Sequence, residues 1–294
     1  MLNHEINKAF RDRLNSGGAV LMPGAANALS ARVIDQMGFE AVYLSGAGLT
    51  NAYLGMPDLG FISLPEIAQH TATIRNCTNL PIVVDADTGF GNAVNVHHTV
   101  RTLERAGASA IQLEDQVNPK RCGHFTGKDV VELEEARSRI KAAVDARLDP
   151  NVLIVARTDA CATLGFQAAI ERAEAFIEDG ADITFIEAPQ DIATIRAIPE
   201  RLKGTPQLIN LVVGGRTPII GLSDLDTMGF GLVLYANVAL QGAIKGMHDA
   251  LSALKSDGQM TEGDLVASFE LRQSVVAKPH FDKMEARYAG GFDG

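Results

Sequence analysis

The chain has 294 residues, 46% hydrophobic and 21% charged, an ordinary globular composition that can fill one large α/β barrel of roughly 250 residues or two small domains. A formal net charge of −10 leaves no basic face from which a nucleic-acid surface is easily assembled. No run approaches the roughly 20 apolar residues that cross a bilayer, so a membrane protein is not expected.

From end to end, short apolar runs rich in β-branched residues alternate with longer amphipathic stretches. The N-terminus is charged and amphipathic and lacks the apolar centre of a signal peptide. Strands are expected at 20–22, 41–45, 82–85, 110–114, 152–156, 183–187, 207–211 and 232–235. Helical periodicity fills 26–37, 94–106, 131–146, 168–179 and 223–228, and Gly38, Gly107, Gly180 and Gly229 stand where helices end. These units, without a low-complexity linker, predict a single (β/α)8 TIM barrel over 1–294. An open doubly wound sheet is the alternative that the same alternation allows. Two segments exceed the minimal unit. The polar, Gly-containing stretch 116–128 is expected to be a mobile gating loop. The C-terminal extension, about 258–294, carries a further helical region at 262–276 and is expected to pack on a neighbouring subunit, with a loosely ordered end. Cys77, Cys122 and Cys161 form no closely spaced disulfide framework, which points to reduced thiols and a cytoplasmic location.

The C-terminal strand ends hold Ser45-Gly46-Ala47, Asp85-Ala86-Asp87, Glu114-Asp115, Arg157-Thr158-Asp159, Glu187, Asn210 and Tyr235-Ala236-Asn237. A barrel gathers all of them at one mouth; the bland reading is that they cap the helices that follow. Alternation along an extended segment turns Asp85 and Asp87 to the same side. With Glu114 they offer three hard oxygen donors, suited to Mg²⁺ or Mn²⁺ rather than Zn²⁺, some acting through bound water. Asp58 can join from its loop, or can be a turn aspartate after proline. Gly89-Phe90-Gly91-Asn92 has neither the lysine of a P-loop nor the third glycine of a dinucleotide fingerprint, and reads as a tight turn. Cys122 stands among Lys120, Arg121 and His124, with Gly123 giving backbone freedom. Positive neighbours favour a thiolate over the ordinary thiol of pKa about 8.5, which suits proton transfer. His97-His98 falls within a helix and is assigned no role.

The segments Asp85–Asn92, Glu114–His124 and Ala156–Ala160 together resemble the isocitrate lyase/phosphoenolpyruvate mutase superfamily, and the cysteine segment resembles its lyase branch. That resemblance implies a barrel whose last helix is exchanged between partners in a dimer of dimers, hence a homotetramer. It implies a metal cluster of Asp58, Asp85, Asp87 and Glu114, and a loop of Ser45, Gly46 and Ala47 that holds a 2-oxo-acid portion. Tyr43 becomes a base or orienting phenol, and Arg157, Glu187 and Asn210 become substrate and transition-state contacts. Cys122, Gly123 and His124 lie on the gating loop, with Cys122 the proton donor. The implied substrate is a small 2-hydroxy dicarboxylate.

Two departures bear on which one. The resemblance places a carboxylate-binding arginine where Gln241 stands in members that cleave a tricarboxylate, and a serine near Ala236 in oxaloacetate hydrolases. The expected activity is therefore cleavage of a substituted malate, of the 2,3-dimethylmalate kind, to pyruvate and a short carboxylate. Methylisocitrate cleavage, oxaloacetate hydrolysis and a non-catalytic metal-dependent ligand-binding barrel are the alternatives.

Overall fold

Runs such as Ile82-Val83-Val84 and Ile183-Thr184-Phe185-Ile186 have no polar face to turn to water, so as strands they must be covered on both sides. In the computed structural model, which describes residues 1–120 and 129–289, a barrel supplies that cover. Its strands are β1 (Val20–Ala25), β2 (Val42–Leu44), β3 (Ile82–Asp85), β4 (Ala110–Glu114), β5 (Leu153–Thr158), β6 (Ile183–Ile186), β7 (Gln207–Asn210) and β8 (Leu232–Tyr235). They pair in parallel in chain order, and β8 returns to β1. The open-sheet alternative is thereby overturned. One set of alternate side chains, including Met22, Tyr43, Val83, Val155, Phe185 and Leu234, packs inside the barrel. The other set, including Val42, Val84, Ile111, Ile186 and Val233, packs beneath the surrounding helices.

The seam between β1 and β8 has a steric requirement. A Cβ on Gly24 would lie 1.9 Å from the Ala236 carbonyl oxygen, so only glycine permits this approach. β1 also runs on through Pro23 to Ala25, beyond the expected end at 22, because Pro23 pairs with Tyr235 in register. The opposite end of the barrel is stopped by the helix Asn3–Asn15, which inserts Phe10 and Leu14 into the interior cluster. Arg11 pairs with Asp182 at 2.9 Å and Asn7 donates to Asp149 at 2.9 Å, which holds that helix in place.

The helices expected from periodicity are present as Ala28–Gln36, Ala93–Ala106, Leu133–Ala146, Phe166–Glu178 and Leu222–Met228. Asn3–Asn15, Leu64–Arg75 and Ile192–Arg201 come in addition. The helical region expected at 262–276 is shorter. An isolated bridge joins Gly263 and Val266, and the helix proper is Phe269–Val275, capped by Ser268, whose side chain accepts from Leu271 N. A left-handed Ala277, φ 57°, separates it from Lys278–Ala289.

Candidate active site

Strand periodicity carries the apolar barrel interior up to a polar rim. On β2 the inward series Ala41, Tyr43 continues to Ser45, on β3 Val83 leads to Asp85, and on β4 Ala110 leads through Gln112 to Glu114. Val155 leads to Arg157, Phe185 to Glu187 and Leu208 to Asn210 in the same way. The rim residues Ser45, Asp85, Glu114, Arg157, Glu187 and Asn210 line a cavity of about 370 Å³, with Tyr43, Ala47, Asp58, Lys120, Asn237 and the loop 212–215. This is the mouth at which a barrel carries its chemistry.

One side of the cavity is acidic. Asp85 Oδ1 accepts from Asp87 N at 3.2 Å and from Gln112 Nε2 at 3.1 Å, and Oδ2 accepts from Gly46 N at 3.3 Å. A Cβ on Gly46 would stand 3.1 Å from Asp85 Oδ2 and 3.3 Å from Asp87 Oδ1, so this turn is packed against both carboxylates. The two are brought together, though not by simple strand alternation. Asp87 lies past the end of β3 in the left-handed region, φ 48°. The Lys120 ammonium sits between Asp58 Oδ1 at 2.6 Å and Asp87 Oδ1 at 2.8 Å. Burial pushes the Asp87 carboxyl up to about 7, against the pull of Lys120 and with help from Asp85. Burial works against the charge on Lys120, but the carboxylates of Asp87, Asp85, Glu114 and Asp58 hold its pKa above the ordinary lysine value.

The facing side is organised around Arg157. Its Nε and Nη2 donate to Asp159 at 2.9 and 3.1 Å, its Nε lies 3.3 Å from Glu114 Oε2, and its guanidinium stands over the Phe185 ring at 5.3 Å. Asp159 is itself held from behind, since its N–H donates to Asp115 Oδ1 at 2.9 Å while Thr158 Oγ1 and Arg172 Nη1 donate to Asp115 Oδ2. Burial disfavours the Arg157 charge, yet Asp159, Glu114 and Glu187 raise its pKa well above the ordinary range. Burial, then the Asp85 charge, raises the Tyr43 phenol well above its ordinary range.

The donor set can accommodate a hard cation. Asp58, Asp85, Asp87, Glu114 and Glu187 are buried at this mouth together with Lys120 and Arg157, and Glu114 Oε1 has no hydrogen-bond partner among the described residues. Burial raises the Glu114 carboxyl well above its ordinary range, which a nearby cation would reverse. The carboxylates do not form a closed cage, because among the described residues no three His, Cys, Asp or Glu side chains are grouped to hold an ion. Such an open set suits Mg²⁺, which dehydrates reluctantly and is bound directly by one or two carboxylates.

The expected residues thus separate into three groups. Tyr43, Ser45, Ala47, Asp58, Asp85, Glu114, Arg157, Glu187 and Asn210 line the cavity, with Gly46 and Asp87 immediately behind it. Gln241 does not line it. The side chain is exposed on the helix Val238–Asp257 and donates to Val213 O at 3.2 Å, so it reaches the cavity only through the loop 212–215. Cys122, Gly123 and His124 lie outside the described residues. Asp159 and Asn237 were expected at the mouth without an assigned role, whereas Gln112 was not expected there and Lys120 was expected only as a neighbour of Cys122. Period-two counting back from Glu114 finds Gln112, whereas the position of Lys120 depends on how the loop after β4 returns over the barrel.

Comparison with known proteins agrees with this fold. The family described as Phosphoenolpyruvate phosphomutase matches residues 10–255. The chain is 42% identical over 284 residues to a 2,3-dimethylmalate lyase from Eubacterium barkeri, covering 96% of this chain and 98% of that protein. It is 43% identical over 280 residues to a 2-methylisocitrate lyase from Aeropyrum pernix, covering 94% and 89%. Among solved structures it resembles a 2,3-dimethylmalate lyase, described as a PEP mutase/isocitrate lyase superfamily member, with TM-score 0.92, 33% identity and coverage of 100% and 98%. An oxaloacetate acetylhydrolase in complex with 3,3-difluorooxalacetate gives TM-score 0.91 at 32% identity, covering 99% of each chain. A phosphonopyruvate hydrolase complex with oxalate and Mg²⁺ gives 0.88 at 32% identity, covering 98% and 100%.

Proposed function

The chain belongs to the phosphoenolpyruvate mutase/isocitrate lyase family, and from that premise we propose that it is a Mg²⁺-dependent carbon–carbon lyase acting on a substituted malate such as 2,3-dimethylmalate. The products are pyruvate and a short carboxylate. The observation that carries this reading is the pairing, across one small cavity, of the Asp85–Glu114 carboxylate face with the braced Arg157 guanidinium. It offers one place for a cation and one for an anionic substrate.

Asp58, Asp85, Asp87 and Glu114 would hold Mg²⁺, whose positive charge would make a 2-hydroxyl group acidic. The chain's own residues do the rest. Ser45, Gly46 and Ala47 hold the half of the substrate that becomes the 2-oxo acid. A carboxylate of the rim takes the hydroxyl proton, C2 becomes a carbonyl, and the C2–C3 electron pair departs with C3 as the enolate of a carboxylate. Arg157, already desolvated and fixed by Asp159, faces that growing negative charge at no further cost in orientation. Glu187 and Asn210, on the same rim, orient the substrate; Asn210 Oδ1 has no hydrogen-bond partner among the described residues and can take one from it. Cys122, with Gly123 and His124, is proposed from the sequence alone as the donor that protonates C3, on a loop that excludes bulk water.

Methylisocitrate cleavage is the second reading, favoured by the similarity to the Aeropyrum pernix protein. The neutral Gln241 argues against it, and oxaloacetate hydrolysis ranks third. Purified protein with Mg²⁺ should release pyruvate from 2,3-dimethylmalate faster than from methylisocitrate and form no oxalate from oxaloacetate. EDTA and Cys122→Ser should each abolish release. Oxalate without pyruvate would replace the first choice, and Mg²⁺-dependent ligand binding without turnover of any candidate would make the chain a binding barrel.

The proposed assembly is a cytoplasmic homotetramer. No described helix is long and apolar enough to cross a membrane. The helix Val238–Asp257 buries no side chain, and Ile244, Met247, Leu251 and Leu254 are exposed along it at helical spacing. Light scattering should return a mass of about four times the 31.3 kDa chain.

A further inference from the structure

Gln112 has no part in the chemistry above, yet it is fully buried and joins two groups that do. Its Nε2 donates to Asp85 Oδ1 at 3.1 Å and its Oε1 accepts from the Tyr43 hydroxyl at 3.0 Å, linking β2, β4 and β3 inside the barrel. The direction of this chain of bonds is forced. Asp85 already accepts the Asp87 N–H on Oδ1 and the Gly46 N–H on Oδ2. That is the behaviour of a carboxylate, which accepts and does not donate. An amide beside it must present its NH₂ group and turn its carbonyl the other way. A carbonyl cannot donate, so the Tyr43 O–H has to point at Gln112. What Tyr43 shows to the cavity it lines is therefore its lone pairs.

We infer that Gln112 is a positioning residue that makes Tyr43 a hydrogen-bond acceptor towards the substrate, so that the site favours a ligand with a hydroxyl over one with a ketone at the same carbon. On the lyase reading, on which the choice of ligands rests, this carbon is C2. A 2-hydroxy acid donates to the phenol oxygen, whereas a 2-oxo acid has only acceptors there and sets lone pair against lone pair. The same polarity favours substrate over 2-oxo product and assists product release. Gln112 has no contact with bulk water that could reverse its amide, and Tyr43 is nearly as buried.

Lactate and pyruvate test this in the Mg²⁺-loaded full chain. They share a skeleton, differ at C2 alone, and lack the second fragment that cleavage would release. Calorimetry gives the ratio of their affinities in the wild type. Gln112→Met frees the phenol to swing its O–H into the cavity, and the ratio should move towards pyruvate by about five- to tenfold, the worth of one hydrogen bond. Tyr43→Phe should weaken lactate by a similar factor and leave pyruvate no weaker, and Gln112→Met added to it should do nothing more to the ratio. A merely structural role for Gln112 would weaken both acids alike, and that result overturns the inference. So does a Tyr43→Phe protein that keeps the wild-type ratio, which decides the matter even where Gln112→Met does not fold. Failure of the wild type to cleave any candidate dicarboxylate would end the lyase reading and leave the ratio experiment interpretable. A cleaving enzyme with an insensitive ratio would end this inference alone.

Discussion

Arg157 shows how a site residue is made before any substrate arrives. Two hydrogen bonds to Asp159 fix its plane, Phe185 lies beneath it, and Asp115 with Arg172 holds Asp159 in turn. Asp159→Asn keeps the shape and removes the charge that anchors the guanidinium. A small displacement of a group that must meet developing charge costs about 10²-fold in rate, so kcat/KM should fall by about that factor in steady-state kinetics, and the thermal midpoint should fall as well because the Arg157 charge loses its buried partner. The carboxylates of this site were legible in the sequence because barrel strands deliver their C-terminal ends to one place. Asp85, Glu114, Arg157, Glu187 and Asn210 needed only that rule. Lys120 was legible only as a neighbour of Cys122, since nothing in its spacing says that it turns back between Asp58 and Asp87. Gln241 was legible as a position on a helix, and its turning to the Val213 carbonyl is a tertiary fact.

Among the elements, strands were easier to read than helices, because continuous Val/Ile/Leu runs between turn residues have few other uses. The bounds of β3, β4 and β8 match those read from sequence, and β1 is longer only because Pro23 is tolerated in register with Tyr235. The helix Leu64–Arg75 opens on Ser63 with Glu66, a capping box, and Ile192–Arg201 carries Pro199 inside it, a residue that argues against a helix in sequence and ends this one close by. The helix Ala93–Ala106, which follows the turn after Asp87, depends on a cap. Asn92 Oδ1 accepts from Val94 N at 3.0 Å and Asn95 N at 3.3 Å. Asn92→Ala should lower stability by about 1 kcal/mol in urea unfolding. Gly91 and Phe90, both with positive φ, shape the preceding turn, so the loss should also reach Asp87 and weaken Mg²⁺ binding.

For the molecule as a whole, the outer ring of helices is fastened by ion pairs whose effect is set by pH. Arg137, on Leu133–Ala146, donates to both oxygens of the buried Asp179, at the end of Phe166–Glu178, at 2.8 Å each. Burial pushes the Asp179 carboxyl up, but the bonds from Arg137 and Lys141 bring it below the ordinary value. A carboxyl depressed in the folded state stabilises above its unfolded pKa, about 4, and that contribution is lost as pH falls through the folded value. Urea midpoints of wild type and Arg137→Leu should therefore differ at pH 7 and converge as the pH drops below about 4. The floor of the barrel has a kinetic consequence. With Phe10 and Leu14 stopping it from below, the cavity is a blind alley, and both halves of a cleaved molecule must leave by the door through which it came. On the lyase reading, the half placed against Tyr43 and Asp85 is the inner one and should depart last. Pyruvate should then inhibit competitively against substrate while the outer carboxylate inhibits noncompetitively, so that initial-rate patterns report the depth at which each fragment was held.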